Sequence, residues 1–394
     1  MVLGDLGRSP RLQYHAEALA LSSVDVDVIA YEGETPGGIL DDRSRITIHV
    51  LTSGRARHVP RALYVSHALR RVLAQTWQLL WLLLVHTRKP DVILVQSPPA
   101  IPVLAVALLA ARVRGARLLI DWHNFGYSVL ALRLGPRHPA VRLARAYERT
   151  LARRAHAHLC VSHAMKRTLE TEWELRAVTV LHDRPHARFT PLPAAARAEA
   201  RRAFGVETHA PLVVSATSWT DDEDFDLLID ALTRYDRLVA DPARVPLHVV
   251  ISGRGARRER FERTLPTFKH VRVRTVWLAN DDYPRLLAAA DLGLSLHRSA
   301  SGVDLPMKIA DMHGAGLPVA ALDYGPCLTE QIHDGQDGLL FTTPDTLAAH
   351  LTDLFKNFPH DTTRLDTLRA SVAARRGRHW RDEWNSVARP VILS

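Results

Sequence analysis

Short apolar runs alternate with longer amphipathic stretches along most of the chain. Val26–Tyr31, Ile46–Val50, Val92–Gln96, Arg117–Asp121 and His158–Ser162 are compact, mostly apolar runs that read as buried strands. Between them, Leu12–Leu21, Tyr64–Arg88, Pro102–Arg114 and Ala140–Arg154 carry helical spacing. Strands apolar on both faces, each followed by a helix, predict a parallel sheet covered on both sides.

The alternation breaks at 183–210, where Pro185, Pro191 and Pro193 flank an Ala-rich helical piece, Ala194–Phe204. That stretch reads as a linker between a first domain, 1–182, and a second, 211–362. The second series has strands at Leu212–Ala216, Leu247–Ser252, Val271–Val276, Leu292–Leu296, Val319–Leu322 and Gly338–Phe341. A last helical stretch, 363–394, reads as crossing back to the first domain. The fold class is α/β: two Rossmann-like, doubly wound domains facing a cleft. Ligands are expected beyond the carboxyl ends of the strands.

Composition adds three limits. The 394 residues are 47% apolar and 24% charged, as in a folded globular chain. Two cysteines, Cys160 and Cys327, cannot build a disulfide framework or a four-ligand zinc site, which fits a reducing compartment. No apolar run reaches the roughly 20 residues of a spanning helix, and no leader pattern follows Met1, so a cytoplasmic setting is expected. Charge is uneven: residues 1–190 hold 26 Lys and Arg against 15 Asp and Glu, whereas the rest holds 25 against 27. A basic first half suits an anionic partner, such as a phosphorylated substrate or an anionic membrane face. Nucleic acid is not expected, because no zinc-finger, aromatic RNA-binding or basic-helix pattern occurs.

Five segments at expected strand ends carry candidate chemistry. In Gly4-Asp5-Leu6-Gly7-Arg8-Ser9-Pro10-Arg11, Ser9 can cap a helix that Pro10 starts. Gly7, Arg8, Ser9 and Arg11 are candidates for a diphosphate at that helix start; an ordinary capped turn is the alternative. Only Val2 and Leu3 precede the turn, so the rest of a buried strand is expected ahead of Met1. Asp121-Trp122-His123-Asn124 offers His123 as general base or sugar contact, with Asp121 fixing its tautomer and Asp5 as rival base; a satisfied structural histidine is the alternative. Thr217-Ser218-Trp219-Thr220-Asp221-Asp222-Glu223-Asp224 offers hydroxyls to phosphate, and its acids read as a solvated helix start. Gly253-Arg254-Gly255 is a turn with an arginine suited to a diphosphate. The fifth runs from His297 to Val319. There Ser301 and Gly302 form a loop, Pro306 starts a helix, and Lys308 sits in the first turn, where a cation opposes the helix dipole unless an anion binds. Asp304 and Asp311, seven apart, read as sharing one helix face.

These segments, with QSPP at Gln96–Pro99 and WLANDDYP at Trp277–Pro284, resemble in order and spacing the chitobiosyldiphosphodolichol β-mannosyltransferases of asparagine-linked glycosylation. The resemblance implies a GT-B fold and inverting transfer of mannose from GDP-mannose to the 4-hydroxyl of N-acetylglucosamine on a lipid-diphosphate-linked chitobiose. It implies no obligatory metal and no cofactor beyond the donor substrate. It places Lys308 and Arg254 at the donor diphosphate and the stretch from Asp304 through Leu305 to Asp311 at the donor's sugar and ribose. With the reading of the loops above, Thr217, Ser218, Gly253, Gly255, Ser301 and Gly302 complete the donor candidates, and Gly7, Arg8, Ser9, Arg11 and Asn124 are the acceptor candidates. Two other readings stay open: a GT-B mannosyltransferase with another acceptor, and a non-catalytic binding partner of the same fold. The stretch Trp77–Val85, with Trp77 and Trp81 four apart, reads either as a buried helix or as a surface that dips into lipid headgroups.

Overall fold

The computed structural model describes residues 5–31, 33, 44–51, 64–239, 245–278 and 281–394. It divides into two units: residues 1–182 with 381–394, and 183–380.

Unit 1 contains β1 (Val26–Tyr31) and β2 (Ile46–Leu51), a parallel pair. It also contains β3 (Val92–Ser97), β4 (Arg117–Trp122), β5 (Ala157–Cys160) and β6 (Val178–Val180), a parallel sheet in that order. The short β6 escaped the pattern reading because three residues carry no periodicity. The strand expected before Gly4 falls on residues outside the description, although Asp5 makes a parallel bridge to Tyr31 at the end of β1. The long helix expected at 64–88 is an α-helix over Tyr64–Trp81 that loosens into a π-turn at Leu82–His86.

Unit 2 contains β7 (Leu212–Ala216), β8 (Leu247–Ser252), β9 (Val271–Val276), β10 (Leu292–Ser295), β11 (Val319–Leu322) and β12 (Gly338–Phe341). All are parallel, in the order β12-β11-β10-β7-β8-β9. Apolar clusters cover both faces, one built around Leu228, Leu294 and Leu351, the other around Leu212, Ile309 and Met312.

The expected linker is instead part of unit 2. Phe189 is fully buried in its core. Asp291, at the start of β10, supplies the electrostatic anchor. It is 2% exposed and is bonded by Arg197 (2.6 Å), Arg201 (3.0 Å) and Arg369 (2.8 Å). A buried carboxylate needs such partners, and here they come from both the 183–210 stretch and the helix Thr363–Arg375. Only 381–394 joins unit 1, through Trp384 Nε1–H on His15 and the Arg117 guanidinium on Val391 O and Ser394 O.

Candidate active site

In unit 2, β7 and β10 are neighbours whose onward connections run to opposite sides of the sheet. Sheets of this order take ligands beyond the carboxyl ends of those two strands. β7 delivers Thr217–Asp224 there and β10 delivers His297–Lys308. Glu223 and His297 form an antiparallel bridge, and Arg298 N–H donates to Asp222 O at 2.7 Å. The β8 turn packs so closely that a Cβ on Gly253 would lie 1.8 Å from Thr217 O, and one on Gly255 2.1 Å from Ser218 O. Both glycines are therefore required by loop packing itself. Trp219 anchors the β7 loop, stacked 4.4 Å from Phe225.

The charges on these loops differ from expectation. Glu223, placed by its acidic neighbours on a solvated helix start, is 4% exposed. Its carboxylate accepts bonds from Lys308 Nζ and Thr217 Oγ1. Lys308 is therefore half of a largely buried ion pair, in the first turn of the helix Met307–Gly314. Nor do Asp304 and Asp311 share a helix face, since that helix begins after Asp304. Asp304 is 5% exposed; one oxygen accepts from Ser301 Oγ (2.9 Å) and Ser299 Oγ, and the other faces His297 Nε2 (3.0 Å). With both oxygens engaged, it is not the donor contact expected. Leu305 is buried and contributes packing. The loop closes through Gly302 at φ +73°, whose N–H donates to Ser299 Oγ at 2.7 Å. Burial pushes Asp311 up to about 7, against Arg188 and with help from Asp183. Arg254 and Ser218 are exposed, and the Arg254 guanidinium lies 4.4 Å over the Trp277 ring.

His297 joins the two loops. Its Nδ1 meets Asp222 at 3.1 Å and its Nε2 meets Asp304 at 3.0 Å. A ring facing carboxylates at both nitrogens must donate twice, which requires the imidazolium. Burial alone would lower its pKa; the two carboxylates outweigh this and raise it to about 9. Burial would push the carboxyls of Asp222 and Asp304 up, but bonding to His297 holds both below their usual range.

In unit 1, Arg11 is buried and makes a two-pronged bond to Asp121, 2.7 Å on each arm. It cannot serve the acceptor diphosphate. Asp121 also faces His15 Nε2 at 3.2 Å, so it does not orient His123. Trp384 Nε1–H donates to His15 Nδ1, which fixes His15 as the neutral tautomer with its proton toward Asp121. Burial lowers the His15 pKa in accord, against the pull of Asp121. Burial would raise the Asp121 carboxyl, yet Arg11 overrides it and holds the group well below the carboxylate range. The Gly7 amide donates to Asp5 Oδ1 (2.9 Å), and Ser9 Oγ to Asp5 O (3.0 Å), so both close their own turn rather than cradle phosphate. Ser9 makes no side-chain cap. The Arg8 side chain lies outside the description. Asn124 Oδ1 accepts from Phe125 N–H (2.7 Å) and Ser128 Oγ (3.2 Å), which spends its carbonyl on the next helix, Gly126–Leu134. His123 directly follows β4 and is partly exposed. A cavity of about 670 Å³, lined by Val26–Ile29, Lys89–Leu94 and Arg117, opens at the amino ends of β1, β3 and β4, the end opposite to His123.

A glycosyl transferase 4-like domain matches residues 7–184, and a glycosyl transferase-like domain matches 228–390. The human chitobiosyldiphosphodolichol beta-mannosyltransferase is 38% identical, across 100% of this chain and 92% of that protein. The Arabidopsis thaliana protein named UDP-glycosyltransferase TURAN is also 38% identical, across 100% and 96%. Among solved structures, Anabaena HepE with UDP-glucose superposes with a TM-score of 0.69 at 16% identity, covering 99% of this chain and 98% of that one. WaaG, of lipopolysaccharide biosynthesis, gives 0.66 at 14%, covering 99% and 98%.

The chain belongs to the chitobiosyldiphosphodolichol β-mannosyltransferase family. It is a glycosyltransferase with the GT-B fold, and it carries residues that the pattern reading passed over. Glu223 and His297 organise the β7 and β10 loops of unit 2. Glu148, 1% exposed, accepts the Gly126 amide at 3.1 Å and supports the turn after His123. Burial pushes the Glu148 carboxyl up to about 8, against the two amides it accepts. The sequence signals were faint: an acid inside an acidic run, a histidine seven residues before Asp304, and a glutamate inside an arginine-rich helix.

Proposed function

We propose that this glycosyltransferase moves mannose from GDP-mannose to the 4-hydroxyl of the outer N-acetylglucosamine of a lipid-diphosphate-linked chitobiose, with inversion to a β-1,4 linkage. The observation that carries this reading is the 38% identity, along the whole chain, to a relative named for β-mannosyl transfer to chitobiosyldiphosphodolichol.

The acceptor oxygen attacks the anomeric carbon as its bond to the donor diphosphate breaks. GDP leaves with the bonding pair, and the hydroxyl proton passes to a base. His123 is the favoured base, since one oxygen of its rival, Asp5, is already committed to Gly7. Unit 2 takes the donor. Arg254 presents an exposed guanidinium, Lys308 a partly exposed ammonium, and the helix from Met307, which has no side-chain cap, its amide end. Such fixed positive groups stabilise the charge that grows on a leaving diphosphate without a divalent ion. Ser218, Thr217, Ser301 and Gly302 line the same strand ends.

Unit 1 takes the lipid-linked acceptor at an anionic membrane surface. Leu73, Trp77, Trp81 and Val85 recur every four residues and are all exposed, while Leu79, Leu82 and Leu83 are buried. The buried reading holds for one face of this helix, and the exposed face is the one we assign to lipid headgroups. Exposed Arg70, Arg88 and Lys89 flank the apolar stripe, the composition that favours anionic headgroups. No helix among the described residues is long and apolar enough to cross a membrane.

Incubation with radiolabelled GDP-mannose and a synthetic lipid-diphosphate chitobiose, with and without EDTA, tests the reading. A β-linked trisaccharide formed equally in both is expected. The name of the Arabidopsis relative, a UDP-glycosyltransferase, favours a second reading, a UDP-sugar donor, which the same assay with UDP-sugars separates.

A further inference from the structure

We propose that His297 is a positioning residue of the donor site, a clasp that holds the β7 and β10 loops in the one arrangement that presents Lys308 and the start of its helix to the donor diphosphate. This rests on the reading of those strand ends as the donor site.

Asp222 lies on the β7 loop and Asp304 on the β10 loop, and among the described residues these carboxylates are the groups that the two ring nitrogens of His297 meet at hydrogen-bond distance. Asp304 is 5% exposed and needs a counter-charge, Asp222 is half-buried beside it, and one imidazolium serves both. Without it, two carboxylates on neighbouring loops are left without their shared cation, and the loops are driven apart. The remaining groups around the ring reinforce the clasp. Tyr324, beyond β11, sets its ring edge-on to His297 at 5.6 Å and donates its hydroxyl to Asp304 O at 2.9 Å. Arg298 ties the next position to Asp224 at 3.2 Å. Lys308, a like charge, is drawn off by Glu223, which itself bridges His297 through the backbone. The second clip, Lys308–Glu223, spans the same two loops, so its geometry depends on the first.

The test is calorimetric titration of GDP into the full chain and into His297→Gln, Asp222→Asn and the double variant, with KM measured separately for donor and acceptor. Weakening of GDP binding by about tenfold in His297→Gln, with a matching rise in donor KM and acceptor KM within twofold, is expected. The double variant should bind no worse than His297→Gln, because both changes open the same clasp. Should His297→Gln not fold, Asp222→Asn keeps the side-chain shape and should still weaken GDP about threefold. GDP binding in these variants equal to the parent overturns the clasp and leaves the donor site standing. GDP binding by the parent that Arg254→Ala and Lys308→Ala both leave unchanged overturns the donor-site reading itself.

Discussion

Replacing Arg11 by Met removes the guanidinium from a carboxylate that has no solvent to replace it. Asp121 is fully buried, and its other partner, His15, is neutral, so Arg11 supplies the balancing charge. Removing one partner of a buried pair costs about 3–5 kcal/mol, because the remaining charge is left uncompensated. In a unit of roughly 200 residues that corresponds to a fall in Tm of roughly 6–20 °C for unit 1. The double change Arg11→Met with Asp121→Asn removes both charges and should recover part of the loss. Urea unfolding followed by tryptophan fluorescence reports on unit 1 through the buried Trp122, Trp173 and Trp384, with Trp219→Phe and Trp380→Phe removing the buried tryptophans of unit 2 from the signal. A loss below about 1 kcal/mol, together with a raised acceptor KM, would refute the structural assignment and restore the substrate role that the sequence pattern suggests.

Three other outcomes follow from the geometry. His123→Ala should lower turnover by ~10²-fold or more with little change in Tm, and near-normal turnover removes it as base. His297 has a folded pKa of about 9, raised above the unfolded value, so its stabilisation is complete below about pH 6.5 and disappears as pH rises through 9. Unit 2 stability should therefore fall by on the order of 2–3 kcal/mol from pH 7 to pH 10, and His297→Gln should flatten that slope; equal slopes would contradict the pairing. Trp77→Ser with Trp81→Ser should abolish flotation with anionic vesicles at low salt while leaving Tm within about 2 °C, and flotation unchanged by the pair would remove the stripe as the lipid contact.

The architecture was legible because buried parallel strands leave continuous apolar runs; all six strands of unit 2 fall where the pattern puts them, to within a residue. The site was legible by location, since ligand-facing loops follow those strands. Which way each side chain turns was not. Arg11 and Asp121 are 110 residues apart, and nothing local to either predicts that they meet. Asp304 was read as facing a ligand because an acid near a helix start suggests one, yet His297, Ser299 and Ser301 satisfy it from within, and the Glu223 partner that holds Lys308 in place was not foreseen. Glu223 was hidden among Asp221, Asp222 and Asp224, where composition implies solvent. The 183–210 stretch looked like a linker because prolines interrupt its periodicity, while the arginines that fasten it to Asp291 look like surface charge.

Transfer of labelled mannose from GDP-mannose to a lipid-diphosphate chitobiose by the purified full chain, with NMR of the product, bears most directly on the function assigned here. A single β-1,4-mannosyl product is the predicted result. Transfer from UDP-sugars alone, or an α-linked product, would contradict it.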